Sequence, residues 1–253
     1  MADYEETTMD AVELQANLIE LLHQARAEQQ AMIDALTPQQ RAAVGTPEHW
    51  AAKDVVAHVA SWWRVQADRL RALAAGEAVH PLDDAEINRR NAETLARGRE
   101  QSWEQVIAEA RAAHDAQVAA LQHIAAWQLV DTVIGTQPLW RSTLGNGFLH
   151  PQVHVTEFYR DQGDPERAAQ VQEHASELLL RRLPIPQVQG IALYNIACAY
   201  ATSGRPTEAI ARLRAALPLD PAIVEWSRHD ADLDSLRELP AFMALYAPSR
   251  KRR

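Results

Sequence analysis

Two histidines four residues apart, His150 and His154, are the clearest candidates for chemistry in this sequence. Four residues along an α-helix return to nearly the same face, with side chains about 5 to 6 Å apart, so both imidazoles could reach one metal ion. A third ligand would have to come from another helix, and His58 lies on an apolar stripe where an unpaired imidazole would be buried at a cost. Since the chain has 10 histidines, hydrogen-bonded or solvated side chains are the alternative interpretation.

Two carboxylates lie one helical turn from these histidines. Asp54 precedes His58 by four residues and could orient its ring by accepting a hydrogen bond. Glu157 follows His154 by three residues and could act as a general base or acid if it faces a pocket. We therefore predict Asp54 and Glu157 as catalytic residues, with ordinary surface charges as the alternative.

The elements that must position these side chains are helices. Apolar residues recur at spacings of three and four in five segments, which predicts helices over residues 8–35, 50–75, 99–126, 150–161 and 165–183. The polar stretch 81–98 is predicted as a connection with one surface helix, and 131–147, which contains three glycines and a proline, as a loop. The predicted fold class is all-α, with a four-helix bundle that carries the histidines.

Composition and charge narrow the class of protein. Apolar residues make up 47% of the 253 residues and only 9 are glycine, a mix that favours helices. The formal net charge is −9, and the chain lacks a basic stripe that could neutralise phosphates, so we expect no nucleic-acid partner. The acidic N-terminus argues against a signal peptide, and the lack of a long apolar run argues against a membrane span. The single cysteine, Cys198, fits a reducing compartment. We expect a cytoplasmic protein.

The best candidate domain boundary is Pro184-Ile185-Pro186, because proline blocks helix continuation and restricts the residue before it. It divides the chain into residues 1–183 and 184–253. Nine residues of the second part occupy positions of the tetratricopeptide consensus: Leu193, Ile196, Ala197, Tyr200, Gly204, Ala209, Leu213, Ala216 and Pro221. This segment resembles one tetratricopeptide-type helix pair, and residues 226–246 resemble the closing helices that follow a last repeat. A self-capped module docked on the bundle is one interpretation, and a partner-binding surface is the other.

A longer motif surrounds the first histidine. The segment from Trp50 to His58 reads Trp-Ala-Ala-Lys-Asp-Val-Val-Ala-His, which looks like the Trp-x-x-Lys-Asp-x-x-x-His opening of helix two in DinB-like proteins, notably the ClbS/DfsB group. His150-x-x-x-His154 looks like the start of their fourth helix. Residues 1–183 thus resemble the DinB/YfiT superfamily. The resemblance implies a three-histidine site, matched here by His58, His150 and His154, for a divalent metal such as zinc or nickel. The chain departs from the pattern at Pro151 and at Val155-Thr156-Glu157, where Arg-Gly-Gln is common.

The resemblance also implies an activity. A metal-dependent enzyme of hydrolase or thiol-transfer type would act on a small electrophilic molecule, in detoxification or self-resistance. Three neutral imidazoles leave one position of Zn²⁺ open and preserve its Lewis acidity. In the ClbS-like branch the same positions could be catalytic without a metal. The alternative function is a non-catalytic interaction module that uses the tetratricopeptide-like segment. The resemblance is also compatible with a homodimer, because bundles of this superfamily often pair through a helical face.

Overall fold

Helices form nearly all of the regular structure, which confirms the predicted all-α class. The computed structural model describes residues 9–46 and 49–246. The chain divides into two compact units, Met1–Asp161 and Gln162–Arg253. Within the described ranges, we find no helix with the length and apolar character needed to cross a bilayer.

Over residues 9–46 and 49–161, the first unit has eight α-helices, one π-helical turn and one small hairpin. The α-helices are α1 (Ala11–Ala35), α2 (Pro38–Ala42), α3 (Ala52–Ala74), α4 (Asp84–Glu100), α5 (Trp103–His123), α6 (Ala126–Asp131), α7 (Leu139–Leu144) and α8 (His150–Asp161). The antiparallel strands β1 (Val133–Ile134) and β2 (Gln137–Pro138) pair Val133 with Pro138 and Ile134 with Gln137, and the π-helix Gly145–Leu149 joins α7 to α8.

The helix ends follow local sequence rules. The predicted end of the first helix at residue 35 is confirmed, because α1 ends at Ala35, and Thr37 then caps α2. Ser102 caps α5 by accepting a hydrogen bond from the backbone N–H of Gln105, as expected for a serine at this position. The predicted fourth helix, 150–161, has the bounds of α8.

The bundle consists of α1, α3, α5 and α8. α3 packs along α5 and contacts α8, while α1 contacts both α5 and α8. Each helix contributes fully buried apolar side chains, such as Leu18, Val59, Leu121 and Val155. Burial of one such side chain stabilises the fold by about 1.5–3 kcal/mol. Ordinary core packing therefore brings together the two helices that carry the histidines, α3 and α8.

The segment 131–147 is helical over most of its second half, so the predicted loop is wrong there. Gly145 has helical backbone angles, φ −56° and ψ −63°. At Gly147 a Cβ atom would lie 2.6 Å from Cδ1 of Leu22 and 2.9 Å from Nε2 of Gln117. Gly147 therefore permits a close approach of helices. Of the three glycines in this segment, Gly135, at φ +63°, is the one that forms a turn. The connection 81–98 contains α4, as predicted.

The second unit contains α9 (Pro165–Arg182), α10 (Pro186–Thr202), α11 (Pro206–Ala216), α12 (Pro221–Trp226), a 3₁₀-helix (Ala231–Leu236) and α13 (Pro240–Met243). α9 packs on α10, and the Ser176 hydroxyl donates to the carbonyl of Ala192 at 2.8 Å. The compact unit therefore begins before α9, upstream of the predicted division between residues 183 and 184.

The α10–α11 pair is a tight antiparallel hairpin. Gly204 turns the chain at φ +74°, and the fully buried Ala197 and Ala209 allow the helices to approach closely. Pro221 begins α12. The closing segment buries Leu233, Leu236 and Phe242 in the same core. Cys198 is also buried, and desolvation raises the pKa of its thiol, so it is not an activated nucleophile.

Candidate metal centre

Three histidines converge through the same ring nitrogen. Nε2 of His150 lies 2.9 Å from Nε2 of His58 and 3.0 Å from Nε2 of His154. Candidate ligand atoms of all three lie within 4.8 Å of one another. A metal ion with bonds of about 2.0–2.1 Å to nitrogen separates neighbouring ligand nitrogens by about 2.9–3.4 Å. The distances from His150 to the other two histidines match this spacing, so the side chains present fit a divalent ion, and the structure brings together all three predicted ligands.

Two helices supply the ligands. His58 lies on the buried face of α3, and His150 and His154 lie one turn apart at the start of α8. Pro151 does not interrupt this start, although a proline cannot donate to the carbonyl four residues earlier. That carbonyl belongs to Gly147, and it accepts a hydrogen bond from the indole N–H of Trp63 at 3.3 Å.

Two tryptophan rings flank the histidines. The Trp50 ring centroid lies 4.6 Å from that of His58 and 5.3 Å from that of His154, on which it stacks. Trp62 meets His58 and His150 edge-on, at 6.4 Å and 6.0 Å. The Trp62 indole N–H donates to the side-chain oxygen of Asn91 on α4 at 3.1 Å. These contacts restrict the orientations that the imidazoles can adopt.

Burial keeps two of the rings neutral. Desolvation, with a smaller contribution from His154, lowers the pKa of His58 to about 3. Desolvation and the two neighbouring histidines lower the pKa of His150 to about 2. Neutral imidazole is the form that ligates a metal. The Nδ1 atoms of both rings are buried and have no hydrogen-bond partner among the described residues.

Glu157 lies against the triad. Its Oε2 atom is 2.9 Å from Nδ1 of His154, and 43% of its side chain is exposed, compared with 17% for His154. The prediction that it faces a pocket is consistent with its place in a small cleft of about 270 Å³ that His154, Trp50 and Phe158 also line.

The structure does not bring Asp54 to His58. The carboxylate of Asp54 is buried and accepts a hydrogen bond from the backbone N–H of Ala51 at 3.0 Å, which caps the start of α3. Its other oxygen lies 3.6 Å from Nε of Arg99. Asp54 occupies the third position of its helix, where a carboxylate reaches back to the cap. Its conformation is that of a structural group.

A larger cleft, about 590 Å³, lies between α3, α4 and α5. Its walls are apolar at Val65 and Ala113 and charged at Arg64, Arg90 and Glu109. Trp62 lines this cleft and also contacts the rings of two ligand histidines. Clefts of about 300–1,000 Å³ are the usual size for small molecules.

The model of the DinB superfamily matches residues 21–155, more than half of the chain. The chain belongs to the DinB superfamily. The matched range includes His58, His150 and His154, and it ends before Glu157. No curated protein and no solved structure matches the chain.

The surroundings of the triad include Trp62 and Asn91, which the sequence motifs do not mark as site residues. Trp62 faces the histidines and is four residues from His58 on the same helix, a spacing that could have placed the rings together. No sequence signal indicates the Trp62–Asn91 contact, because it joins separate helices.

Proposed function

We propose that this DinB superfamily protein is a metal-dependent enzyme acting on a small electrophilic molecule. The observation that supports this most is the convergence of three Nε2 atoms from α3 and α8 at 2.9 Å and 3.0 Å. A structural zinc site is usually closed by four protein ligands, whereas a site with three leaves room for a reactant. The described residues supply three histidines and no fourth member of the group.

The chain's own residues have two tasks in this proposal. His58, His150 and His154 hold the ion as neutral ligands, because burial disfavours protonation of the first two. Trp50 and Trp62 pack on the imidazoles and exclude water from their faces. When bound, the ion supplies Lewis acidity for activation of water, a thiol or a substrate oxygen.

Zinc or nickel is the proposed ion, because three imidazoles suit borderline divalent metals better than magnesium or calcium, which prefer oxygen ligands. Hydrolysis and thiol transfer are the two proposed reaction types, since an activated water or a bound thiol would each attack an electrophilic carbon. The resemblance of the Trp50–His58 motif to the ClbS/DfsB group supports a detoxification or self-resistance role. The two clefts beside the centre are of a size for a small molecule.

Metal analysis of the purified protein tests this proposal. We expect one zinc or nickel ion per chain in the wild type, after exposure to each metal and removal of excess. His58→Ala and His154→Ala should each lose most of the bound metal, because each removes one ligand of three. His123→Ala, an exposed histidine at the end of α5, is the control and should retain it. Full metal content in both ligand variants would remove the assignment.

A second candidate function rests on the C-terminal unit, as a tetratricopeptide-type interaction module. An apolar cleft of about 470 Å³ lies between α11 and α13, lined among others by Pro206, Ile210, Leu239 and Pro240. An apolar surface of this kind can bind a partner chain. Light scattering after size exclusion measures the assembly state of the wild type and of Ile210→Glu. A monomer in both, with no partner recovered by the wild type, would count against this function.

A further inference from the structure

The three candidate ligands differ in what contacts the ring nitrogen that faces away from the metal position. The Nε2 atoms converge, so each Nδ1 atom points outward. For His154 this outward nitrogen meets Oε2 of Glu157 at 2.9 Å. For His58 and His150 it is buried and has no hydrogen-bond partner among the described residues. Tryptophan rings pack on all three imidazoles, so the hydrogen bond to a carboxylate is what distinguishes His154.

We propose that Glu157 is a positioning residue that accepts a hydrogen bond from Nδ1–H of His154 and so directs the Nε2 lone pair of that ring to the metal. This inference rests on the proposed metal centre, and it assigns to Glu157 an effect on the affinity of that centre for the metal ion. A histidine that ligates a metal usually donates its other ring N–H to a carboxylate, carbonyl or water, which fixes the tautomer and makes the ligand more basic. Glu157 is the described side chain that does this at the triad.

The position of the pair on α8 explains why this histidine needs such support. Glu157 is three residues after His154, a spacing at which helical side chains meet. His154 is more exposed than His58, which is 3% exposed. A buried ring is held by its neighbours, whereas a ring near solvent can rotate unless a directional contact holds it. Trp50 stacks on one face of the His154 ring, and the hydrogen bond to Glu157 is the directional contact of its outward nitrogen.

This assignment differs from the predicted role as general base or acid. Oε2 of Glu157 is directed to a ligand nitrogen, so its effect passes through His154. A second carboxylate allows the two effects to be separated. Asp161 is on the same helix and lines the same cleft, and its carboxylate lies 3.6 Å from Nδ1 of His49. Asp161 therefore serves as a control carboxylate on the same helix that has a partner outside the triad.

The test is the affinity of the full chain for Zn²⁺ and for Ni²⁺, measured by competition with a chromogenic chelator. We expect Glu157→Ala to bind each metal about 10–100-fold more weakly. Glu157→Gln should recover most of that loss, because its amide oxygen still accepts the hydrogen bond. Asp161→Asn should bind like the wild type. In zinc-loaded protein, ¹⁵N NMR should show His154 protonated at Nδ1 in the wild type and in Glu157→Gln.

Three results would overturn the inference: wild-type affinity in Glu157→Ala, equal losses in Glu157→Gln and Glu157→Ala, or an equal loss in Asp161→Asn. His154→Ala separates this failure from failure of the metal centre itself. If His154→Ala loses metal and Glu157→Ala does not, only the positioning role is refuted. If His154→Ala also binds like the wild type, the centre itself is refuted. Because Glu157 is half-exposed, its variants should fold, and circular dichroism of the metal-free proteins checks this.

Discussion

The indole N–H of Trp63 on α3 donates to the carbonyl oxygen of Gly147, 3.3 Å away. In an uninterrupted α-helix this carbonyl would accept from residue 151, which is a proline without an N–H. Trp63 thus gives this carbonyl a donor that residue 151 cannot supply, directly before the second ligand helix. Because an unpaired buried carbonyl is costly, this contact helps to fix the position of His150 relative to α3, which carries His58.

Substitution of Gly147 should therefore destabilise the first unit. A Cβ atom at Gly147 would lie 2.6 Å from Leu22 and 2.9 Å from Gln117, in a packed core. We expect Gly147→Ala to lower the free energy of unfolding by about 1–3 kcal/mol, measured by urea denaturation followed by circular dichroism.

Gly145→Ala is the matched control for this change. Gly145 lies two residues earlier with helical angles, and a Cβ atom there would meet nothing within 4 Å. Alanine at this position should leave stability unchanged or raise it by about 0.5–1 kcal/mol, since it restricts the unfolded chain. Equal effects of the two substitutions would contradict the close packing at Gly147.

The tryptophans beside the triad should report metal binding. Ni²⁺ is paramagnetic and quenches indole fluorescence at short range, and the Trp50 and Trp62 rings lie 4.6 Å and 6.0 Å from ligand rings. We expect Ni²⁺ titration to quench the tryptophan emission of the wild type. In Trp50→Phe and Trp62→Phe the amplitude of quenching should be smaller. Trp127→Phe removes an exposed indole on α6 and should retain the full quenching amplitude attributed to the centre. Unchanged quenching amplitude in Trp50→Phe and Trp62→Phe would place the ion elsewhere.

The buried imidazoles predict a pH dependence of stability in the metal-free protein. The pKa values of His58 and His150 in the folded state are about 3 and about 2, below the ordinary value of 6.5 that applies to the unfolded chain. Below pH 6.5 the unfolded chain therefore binds more protons than the folded one, and stability falls as the pH falls. Between pH 7.5 and 5.5 the loss is about 1.4 kcal/mol for each of the two histidines.

Urea denaturation with a chelator present, at pH 7.5 and at pH 5.5, measures this loss. His58→Gln removes one of these groups and should reduce the difference between the two pH values by about 1.4 kcal/mol. His123→Gln changes an exposed histidine and should leave the difference as it is in the wild type. A wild-type protein equally stable at both pH values would show that the rings titrate as they do in water.

Periodicity was sufficient to predict the parts of the fold that bury an apolar face. α8 begins at His150 as predicted, because the histidine pair opens a segment whose apolar residues repeat at helical spacing. The loop predicted for residues 131–147 was wrong in its second half, because a glycine can either turn the chain or permit close packing. Gly135 turns the chain, whereas Gly147 makes room for Leu22, and only the packing partner distinguishes them.

The site was predictable where it depends on helix geometry and not where it depends on contacts between helices. Helical spacing alone placed His154 beside His150 and Glu157. The contact of Trp62 with Asn91, and that of Trp63 with Gly147, each join elements far apart in the sequence. Spacing also allowed two roles for Asp54, since the third residue of a helix can reach either the cap or the next turn.

The structure gives Asp54 a capping role, whereas the sequence predicted a role in orienting His58. Its carboxylate is 2% exposed and accepts from the backbone N–H of Ala51 at 3.0 Å. Asp54→Ala should lower the free energy of unfolding by about 1–3 kcal/mol, because it leaves a buried N–H without its acceptor. Asp68→Ala removes an exposed carboxylate on the same helix, and its free energy of unfolding should stay within about 0.5 kcal/mol of the wild-type value.

Metal affinity of the folded Asp54→Ala protein should equal that of the wild type, since no atom of Asp54 hydrogen bonds to His58. Wild-type stability combined with a large loss of metal affinity would instead show that Asp54 orients the ring of His58.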